Sequence, residues 1–191
     1  MLGVLEQERA EPPSVTDAVE LEPGPASEQA RTRRAAVEVR RVLEALAERR
    51  LTVAVAEGDT GGVLLEWLTA VPGSSAVVLG GVVAYHDALK REVLGVAPPI
   101  IEQHGAVSAE AVEAMAHGVR RLARADLGLA TTGIAGPGGA TVAKPVGLAY
   151  VAAVDAGGGV LVREHRWQGD RTSNRQASAQ AALRLALELL Q

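Results

Sequence analysis

The chain has 191 residues, with 19 Lys and Arg against 23 Asp and Glu, and it contains no Cys and no Phe. The absence of cysteine excludes disulfides, thiolate metal sites and cysteine nucleophiles. A net charge of -4, with only two Trp and two Tyr, argues against a nucleic-acid binder. The chain shows neither an apolar run of membrane-spanning length nor a signal-peptide pattern, so we expect a cytoplasmic protein without a membrane partner.

Charge is distributed unevenly at the start of the chain. Residues 1–30 contain seven acidic residues, one basic residue and four prolines, whereas residues 31–50 contain seven arginines and three glutamates. Residues 1–30 have too few large apolar side chains to offset the entropy of ordering, so we predict a disordered acidic leader. The leader could fold back on the basic segment or remain solvated, and we favour the solvated leader.

Residues 31–191 form the predicted folded domain, which begins with a helix over 32–50 and continues as a sheet domain over 51–191. Ala36, Val39, Leu43 and Leu46 recur at three- and four-residue steps, which indicates one apolar helix face. Arginines occupy the other face and glutamates lie among them. Short-range ion pairing therefore favours a solvated face over a nucleic-acid surface.

The remainder alternates between strand and helix patterns. Strands are predicted at 51–56, 76–85, 127–132, 146–155 and 160–167, and helices at 63–69, 87–94, 98–104, 108–124 and from 171 to the end. Ser108 and Asp170 are predicted N-caps, and Gly80-Gly81 predicts a bulge or a close backbone approach. The first three strands should pair in parallel and the closing hairpin should add an antiparallel strand. The prediction is an α/β fold, with a mixed five-stranded sheet between helices.

Two glycine-rich loops follow predicted strands, at 56–62 and 131–139. Open α/β sheets bind ligands beyond the carboxyl ends of their strands, where helix N-termini offer N–H groups to anions. Neither loop matches a P-loop or the dinucleotide-binding glycine pattern. The loops could therefore line a shared ligand crevice, or they could serve only as tight turns.

A set of ordered motifs makes the chain similar to a known family. The motifs are Ala56-Glu57-Gly58-Asp59-Thr60-Gly61-Gly62, Val71-Pro72-Gly73-Ser74-Ser75, Gly80-Gly81-Val82-Val83-Ala84-Tyr85, Lys90, Leu94-Gly95-Val96, His104-Gly105-Ala106-Val107-Ser108, Thr132-Gly133-Ile134-Ala135-Gly136-Pro137-Gly138-Gly139, Lys144-Pro145-Val146-Gly147 and Gly169-Asp170-Arg171. Over residues 36–190 they closely resemble the stand-alone C-terminal domain of the CinA family of nicotinamide mononucleotide amidohydrolases.

The resemblance implies a three-layer α/β/α sandwich, a nucleotide ligand and a protein that self-associates, as a homodimer in our prediction. It also implies hydrolysis of the carboxamide of nicotinamide mononucleotide to nicotinate mononucleotide and ammonia, a reaction of the pyridine nucleotide cycle. Carried over by motif, it places Tyr85, Lys90 and Thr132 in the catalytic set. The substrate-binding positions that it implies are Thr60, Gly61, Gly133, Gly136 and Arg171.

The first loop departs from the family pattern. The family reads Ala-Glu-Ser-Cys-Thr-Gly-Gly and its serine is taken to be the nucleophile, whereas this chain has Gly58 and Asp59 at the serine and cysteine positions. Glycine cannot form an acyl intermediate. Loss of a serine nucleophile costs on the order of 10⁶ in turnover, or roughly 8 kcal/mol of barrier. We therefore predict that amidase activity is lost or strongly reduced.

Each of the other candidates also has a structural interpretation. Lys90 could act as a base or pair with Asp87 or Glu92, Tyr85 could only cover the sheet edge, and Arg171 could bind a phosphate or face solvent. Thr60 could replace the nucleophile or Asp59 could orient a water, although displacement of the attacking atom disfavours Thr60.

Two hypotheses remain. The first is an amidohydrolase with an altered first loop. The second is a catalytically inactive, nucleotide-binding or scaffold member of the family. Neither His86 nor His117 has partners at metal-ligand spacing, so we expect no metal and no other cofactor.

Overall fold

The computed structural model describes residues 28–191, so the predicted leader lies almost entirely outside the described residues. The helices are α1 (Glu28–Arg49), α2 (Val63–Thr69), α3 (Asp87–Glu92), α4 (Pro98–His104), α5 (Ala109–Ala123) and α6 (Arg171–Leu189). The strands are β1 (Val53–Glu57), β2 (Val78–Val83), β3 (Leu127–Gly133), β4 (Leu148–Asp155) and β5 (Val160–Arg166).

The strands form one mixed sheet in the order β2-β1-β3-β4-β5. β1 pairs in parallel with β2 and with β3, while β3–β4 and β4–β5 are antiparallel. The predicted α/β fold and mixed five-stranded sheet are confirmed. The β1–β2 pairing is irregular where β2 enters the double glycine, as predicted: Val53 pairs with Val78, but the next residue, Ala54, pairs with Gly80. A Cβ on Gly81 would lie 2.6 Å from the Val55 side chain, which explains the need for glycine.

Helices cover both faces of the sheet. On one face α1, α2 and α6 enclose a core that includes Leu46, Leu64, Leu129 and Leu183, and on the other α5 packs Val112, Met115 and Val119 against the sheet. Alanines are frequent in both cores, which allows helices and sheet to approach closely. Within residues 28–191, none of the helices combines the length and the apolar character needed to cross a bilayer.

Local signals placed most helix boundaries well. Ser108 accepts a hydrogen bond from the Ala111 amide at 3.1 Å, and Asp170 accepts one from the Ser173 amide at 2.8 Å, so both predicted caps are present. α1 begins at Glu28, before the predicted start at residue 32. The additional residues include Gln29, Ala30 and Arg31, which favour helix, so the periodic apolar face marks where packing begins and not where the helix begins.

Candidate functional site

A cleft of about 260 Å³ opens beyond the carboxyl ends of β1 and β3. Both glycine-rich loops contribute to it, since its wall includes Gly58 and Asp59 from the first loop and several residues of 133–139 from the second. The remaining lining residues come from the turn after β2, from α3, from the residues before α5, from β3 and from the start of α6: Tyr85, Asp87, Lys90, Ala106, Val107, Thr132 and Arg171. The two loops therefore line a shared crevice, which is the first of the two interpretations that the sequence left open.

Gly58 sits where the chain leaves β1, and its amide donates a hydrogen bond to the Thr131 carbonyl at 2.9 Å. A Cβ at this position would lie 3.0 Å from that carbonyl oxygen and 3.3 Å from Thr132 Cα. These distances are shorter than ordinary van der Waals contact, so a side chain here requires the loop to shift by a few tenths of an ångström. The position that the sequence resemblance predicts for a nucleophile therefore carries no side chain and lies close against β3.

Asp59 lines the cleft and is only 7% exposed. Its Oδ1 atom is buried and has no hydrogen-bond partner among the described residues. Burial raises the pKa of this carboxyl from 3.8 to about 6; the hydroxyls of Ser178 and Thr131 and the Asp59 amide oppose the rise, and the charge of Glu57 adds to it. Sequence reasoning identified Asp59 as a departure from the motif but could not show that its carboxyl is enclosed.

Glu57 is a structural residue that sequence reasoning missed. It is fully buried, and its carboxylate accepts hydrogen bonds from the amides of Gly62 at 2.8 Å, Leu64 at 3.1 Å and Leu65 at 2.8 Å. These donors are those that the N-terminus of α2 would otherwise offer to an anion. The expectation that the helix after the first loop presents free N–H groups to a ligand is therefore wrong. The sequence feature that could have indicated this cap is an acidic residue five positions before Gly62.

Thr60 and Gly61 lie apart from the cleft wall. Thr60 is fully buried, and its hydroxyl forms a 2.8 Å hydrogen bond with that of Thr131. Its carbonyl accepts two hydrogen bonds from Arg175 of α6, from Nε at 3.0 Å and from Nη2 at 2.7 Å. Arg175 thereby holds the first loop against α6, and the Thr60 hydroxyl is not placed to attack a ligand in the cleft.

Tyr85 and Arg171 meet across the cleft. Arg171 donates from Nη2 to the Tyr85 hydroxyl at 2.8 Å and from Nη1 to the Gly136 carbonyl at 2.8 Å. The tyrosine side chain is exposed, and it extends from the end of β2 to the start of α6. Asn174, buried one turn further along α6, adds a hydrogen bond to the Ala135 carbonyl at 3.1 Å. The guanidinium is thus fixed beside the second loop, where it faces the cleft.

Lys90 is buried on α3, and its Nζ pairs with Asp87 Oδ1 at 2.8 Å. Of the two acidic partners considered from the sequence, the structure selects Asp87. Thr132 is also buried, and its hydroxyl donates to the Ala106 carbonyl at 2.8 Å. Its proton is therefore engaged by the protein and is not directed toward an oxyanion in this arrangement.

Together these contacts give the cleft one cation fixed by hydrogen bonds, one cation paired with a carboxylate, and one enclosed carboxyl. Arg171 offers the geometry that phosphate recognition uses. Gly133, Gly136, Gly138 and Gly139 let the backbone approach a ligand closely. Within residues 28–191, no group of three or more His, Asp or Glu side chains is arranged to hold a metal ion.

Known proteins are similar to this chain in sequence and in architecture. Residues 36–190 match the model of the CinA C-terminal domain family. A CinA-like protein of Anaeromyxobacter sp. (strain Fw109-5) is 50% identical over 144 residues, which cover 75% of this chain and 35% of that protein. A CinA-like protein of Syntrophus aciditrophicus (strain SB) is 50% identical over 140 residues, covering 72% of this chain and 33% of that protein. The chain thus spans about a third of the length of these curated relatives.

A solved structure agrees with the sequence matches. The crystal structure of the competence/damage inducible protein CihA from Agrobacterium tumefaciens superimposes with a TM-score of 0.81 at 38% identity, covering 91% of this chain and 100% of that one. The fold, the ordered motifs and the family match over residues 36–190 lead to one conclusion: the chain belongs to the CinA C-terminal domain family.

Proposed function

We propose that the cleft binds a pyridine mononucleotide of the nicotinamide mononucleotide type, and that amide hydrolysis is lost or strongly reduced in this chain. The observation that carries the proposal is Gly58, which leaves no nucleophile at the position where the family has its serine. Arg171, Tyr85 and Lys90 line the cleft around that position and support ligand binding without the serine.

Replacement of the nucleophile by a neighbour is disfavoured by the geometry. The Thr60 hydroxyl is fully buried and engaged with Thr131. The Thr132 hydroxyl lines the cleft, but its proton is donated to the Ala106 carbonyl. Asp59 could orient a water, but its ionised carboxylate would lie where the reaction must develop negative charge on the carbonyl oxygen. Binding therefore has more support than turnover.

The test compares three chains: the native protein, Gly58→Ser and Gly58→Ala. Calorimetric titration with nicotinamide mononucleotide measures binding, and ammonia release measures hydrolysis. The alanine variant has the same added Cβ as the serine variant but no hydroxyl, so it isolates the steric effect of crowding the Thr131 carbonyl.

We expect the native chain and Gly58→Ala to bind without releasing ammonia, and Gly58→Ser to gain hydrolysis. Robust turnover by the native chain would refute the loss of activity. Absence of binding by all three chains would refute the nucleotide cleft. Binding by all three without hydrolysis would show that more than the serine has been lost.

A further inference from the structure

Asp59 changes the charge balance of the cleft. The charged side chains on the cleft wall are Asp59 from the first loop, Asp87 and Lys90 from α3, and Arg171 from α6. Lys90 is neutralised by its 2.8 Å ion pair with Asp87. The charge of Arg171 is therefore opposed by one carboxyl, that of Asp59, which replaces the uncharged cysteine of the family motif. The aspartate adds one unit of negative charge to the wall of the cleft whenever Asp59 is ionised.

Within residues 28–191, one oxygen of the buried Asp59 carboxyl lacks a hydrogen-bond partner, and no cation pairs with the group. It is more than nine-tenths buried, and its Oδ1 has no hydrogen-bond partner among the described residues. Oδ2 lies 3.0 Å from the position that a Cβ on Gly133 would occupy, and Gly133 itself lines the cleft. No cation within the described ion pairs compensates this carboxylate. The charge of ionised Asp59 therefore acts on a ligand bound in the cleft.

The groups that face Asp59 come from three elements. β1 contributes the carboxylate of Glu57, whose charge raises the Asp59 pKa, while Thr131 of β3 and Ser178 of α6 contribute hydroxyls that lower it. Desolvation is the largest influence, and the net result is a pKa of about 6. The carboxyl therefore changes from mostly neutral at pH 5 to almost fully ionised at pH 8.

We propose that Asp59 makes the cleft select the carboxamide form of a pyridine mononucleotide over its carboxylate form. This inference rests on the proposed function and adds a chemical preference to it. An ionised Asp59 repels a ligand carboxylate, whereas a neutral carboxamide feels no such repulsion and brings N–H donors that a carboxylate oxygen can accept. The cleft would hold the substrate of the family reaction and exclude its product.

Nicotinamide mononucleotide and nicotinate mononucleotide form a matched pair of probes. Both carry a pyridinium cation and a phosphate, and they differ only in the carboxamide or carboxylate group. The phosphate also titrates near pH ~6, but it does so in both ligands, so its effect cancels in the ratio of the two dissociation constants. That ratio isolates the interaction with the group that differs.

The experiment measures both dissociation constants by calorimetry at pH 5, 6, 7 and 8. Native protein, Asp59→Asn and Asp59→Cys are compared, the last restoring the residue of the family motif. Glu66→Gln serves as the control, because it removes one negative charge from the exposed face of α2, outside the cleft wall. We expect the native protein at pH 8 to bind the amide at least about tenfold more tightly than the acid. Two like charges about 10 Å apart give a factor of that size at an effective dielectric constant near ~20.

The preference of the native protein should fall toward that of Asp59→Asn as the pH drops to 5, and Glu66→Gln should follow the native protein. Asp59→Asn should show a ratio that does not vary with pH, and Asp59→Cys should match it up to pH 7. A native ratio equal to that of Asp59→Asn at pH 8, or one independent of pH, overturns the proposal. If neither nucleotide binds any variant, the proposed function fails as well, whereas equal binding of both nucleotides refutes the selectivity alone.

Discussion

Asp59→Asn should stabilise the protein at neutral and alkaline pH. The substitution keeps the shape of the side chain and removes a charge that is 7% exposed and lacks a partner for Oδ1. The Ser178 and Thr131 hydroxyls that face this side chain can accept hydrogen bonds from the new amide. The expected gain follows from the pKa of Asp59.

The magnitude follows from proton linkage. The pKa of Asp59 is about 6 in the folded protein, against a value of 3.8 for an unperturbed carboxyl. A carboxyl whose pKa is raised by folding binds its proton more tightly in the folded state, so stability declines as the pH rises from 3.8 through 6. Above that range the ionised carboxyl lowers the free energy of unfolding by about 3 kcal/mol, because each pKa unit is worth about 1.36 kcal/mol. At pH ~5 the free energy of unfolding is lowered by about half of that amount.

Urea denaturation of both proteins at pH 4, 5, 6 and 8 measures the effect. We expect Asp59→Asn to exceed the native protein by about 3 kcal/mol at pH ~8, with the difference shrinking to less than about 1 kcal/mol at pH ~4. A thermal melt should show a midpoint higher by about 6–12 °C at pH ~8. A difference that stays constant with pH, or a variant less stable than the native protein at pH 8, would refute the reasoning.

Asp126 provides a control of opposite sign. Its carboxylate accepts hydrogen bonds from the Thr52 amide and hydroxyl, both at 2.7 Å, and these bonds lower its pKa. A lowered pKa contributes stability that is present at neutral pH and is lost as the pH falls through the folded-state value. Asp126→Asn should therefore destabilise the protein at pH 8 and become less harmful in acid, the reverse of Asp59→Asn.

Three further substitutions test the fold around the site, each by urea denaturation. Glu57→Ala should cost about 2–4 kcal/mol, because three amides at the start of α2 lose their acceptor; Glu66→Ala, on the exposed face of the same helix, should stay within about 0.5 kcal/mol of the native protein. Gly128→Ala should destabilise by about 3 kcal/mol or more, because its Cβ would overlap the Ala116 carbonyl oxygen of α5, whereas Gly138→Ala meets nothing within 4 Å and should be neutral; equal effects would contradict the close packing of α5 on β3. Ser108→Ala should cost about 1 kcal/mol through loss of the α5 cap, and a loss also seen in Ser108→Thr would argue against capping as its cause.

Much of the architecture was predictable from local pattern. Alternating strand and helix segments fixed the parallel pairing of the first three strands, and the closing hairpin fixed the antiparallel addition. Ser108 and Asp170 marked helix starts because an N-cap interaction spans only three residues. The glycine at position 58 was also evident from the sequence, because a missing side chain needs no tertiary context to be recognised.

The direction and environment of the site side chains required the tertiary structure. Tyr85 and Arg171 bond to each other although 86 positions separate them, and no local pattern encodes such a contact. Thr60 follows Asp59 in the same loop, but Asp59 lines the cleft and Thr60 does not, because loop dihedrals and not residue type decide which way a side chain points. Likewise Glu57 caps α2 only because the chain doubles back over the end of β1.

The same distinction applies to Asp59. The sequence by itself determined that position 59 carries a carboxyl where the family resemblance implies a cysteine, and therefore that the cleft could gain a negative charge. Only the tertiary structure decided that α6 and β3 enclose this carboxyl and leave Oδ1 without a donor. Burial sets the cost of ionisation, and burial is a property of the packed layers and not of any short segment.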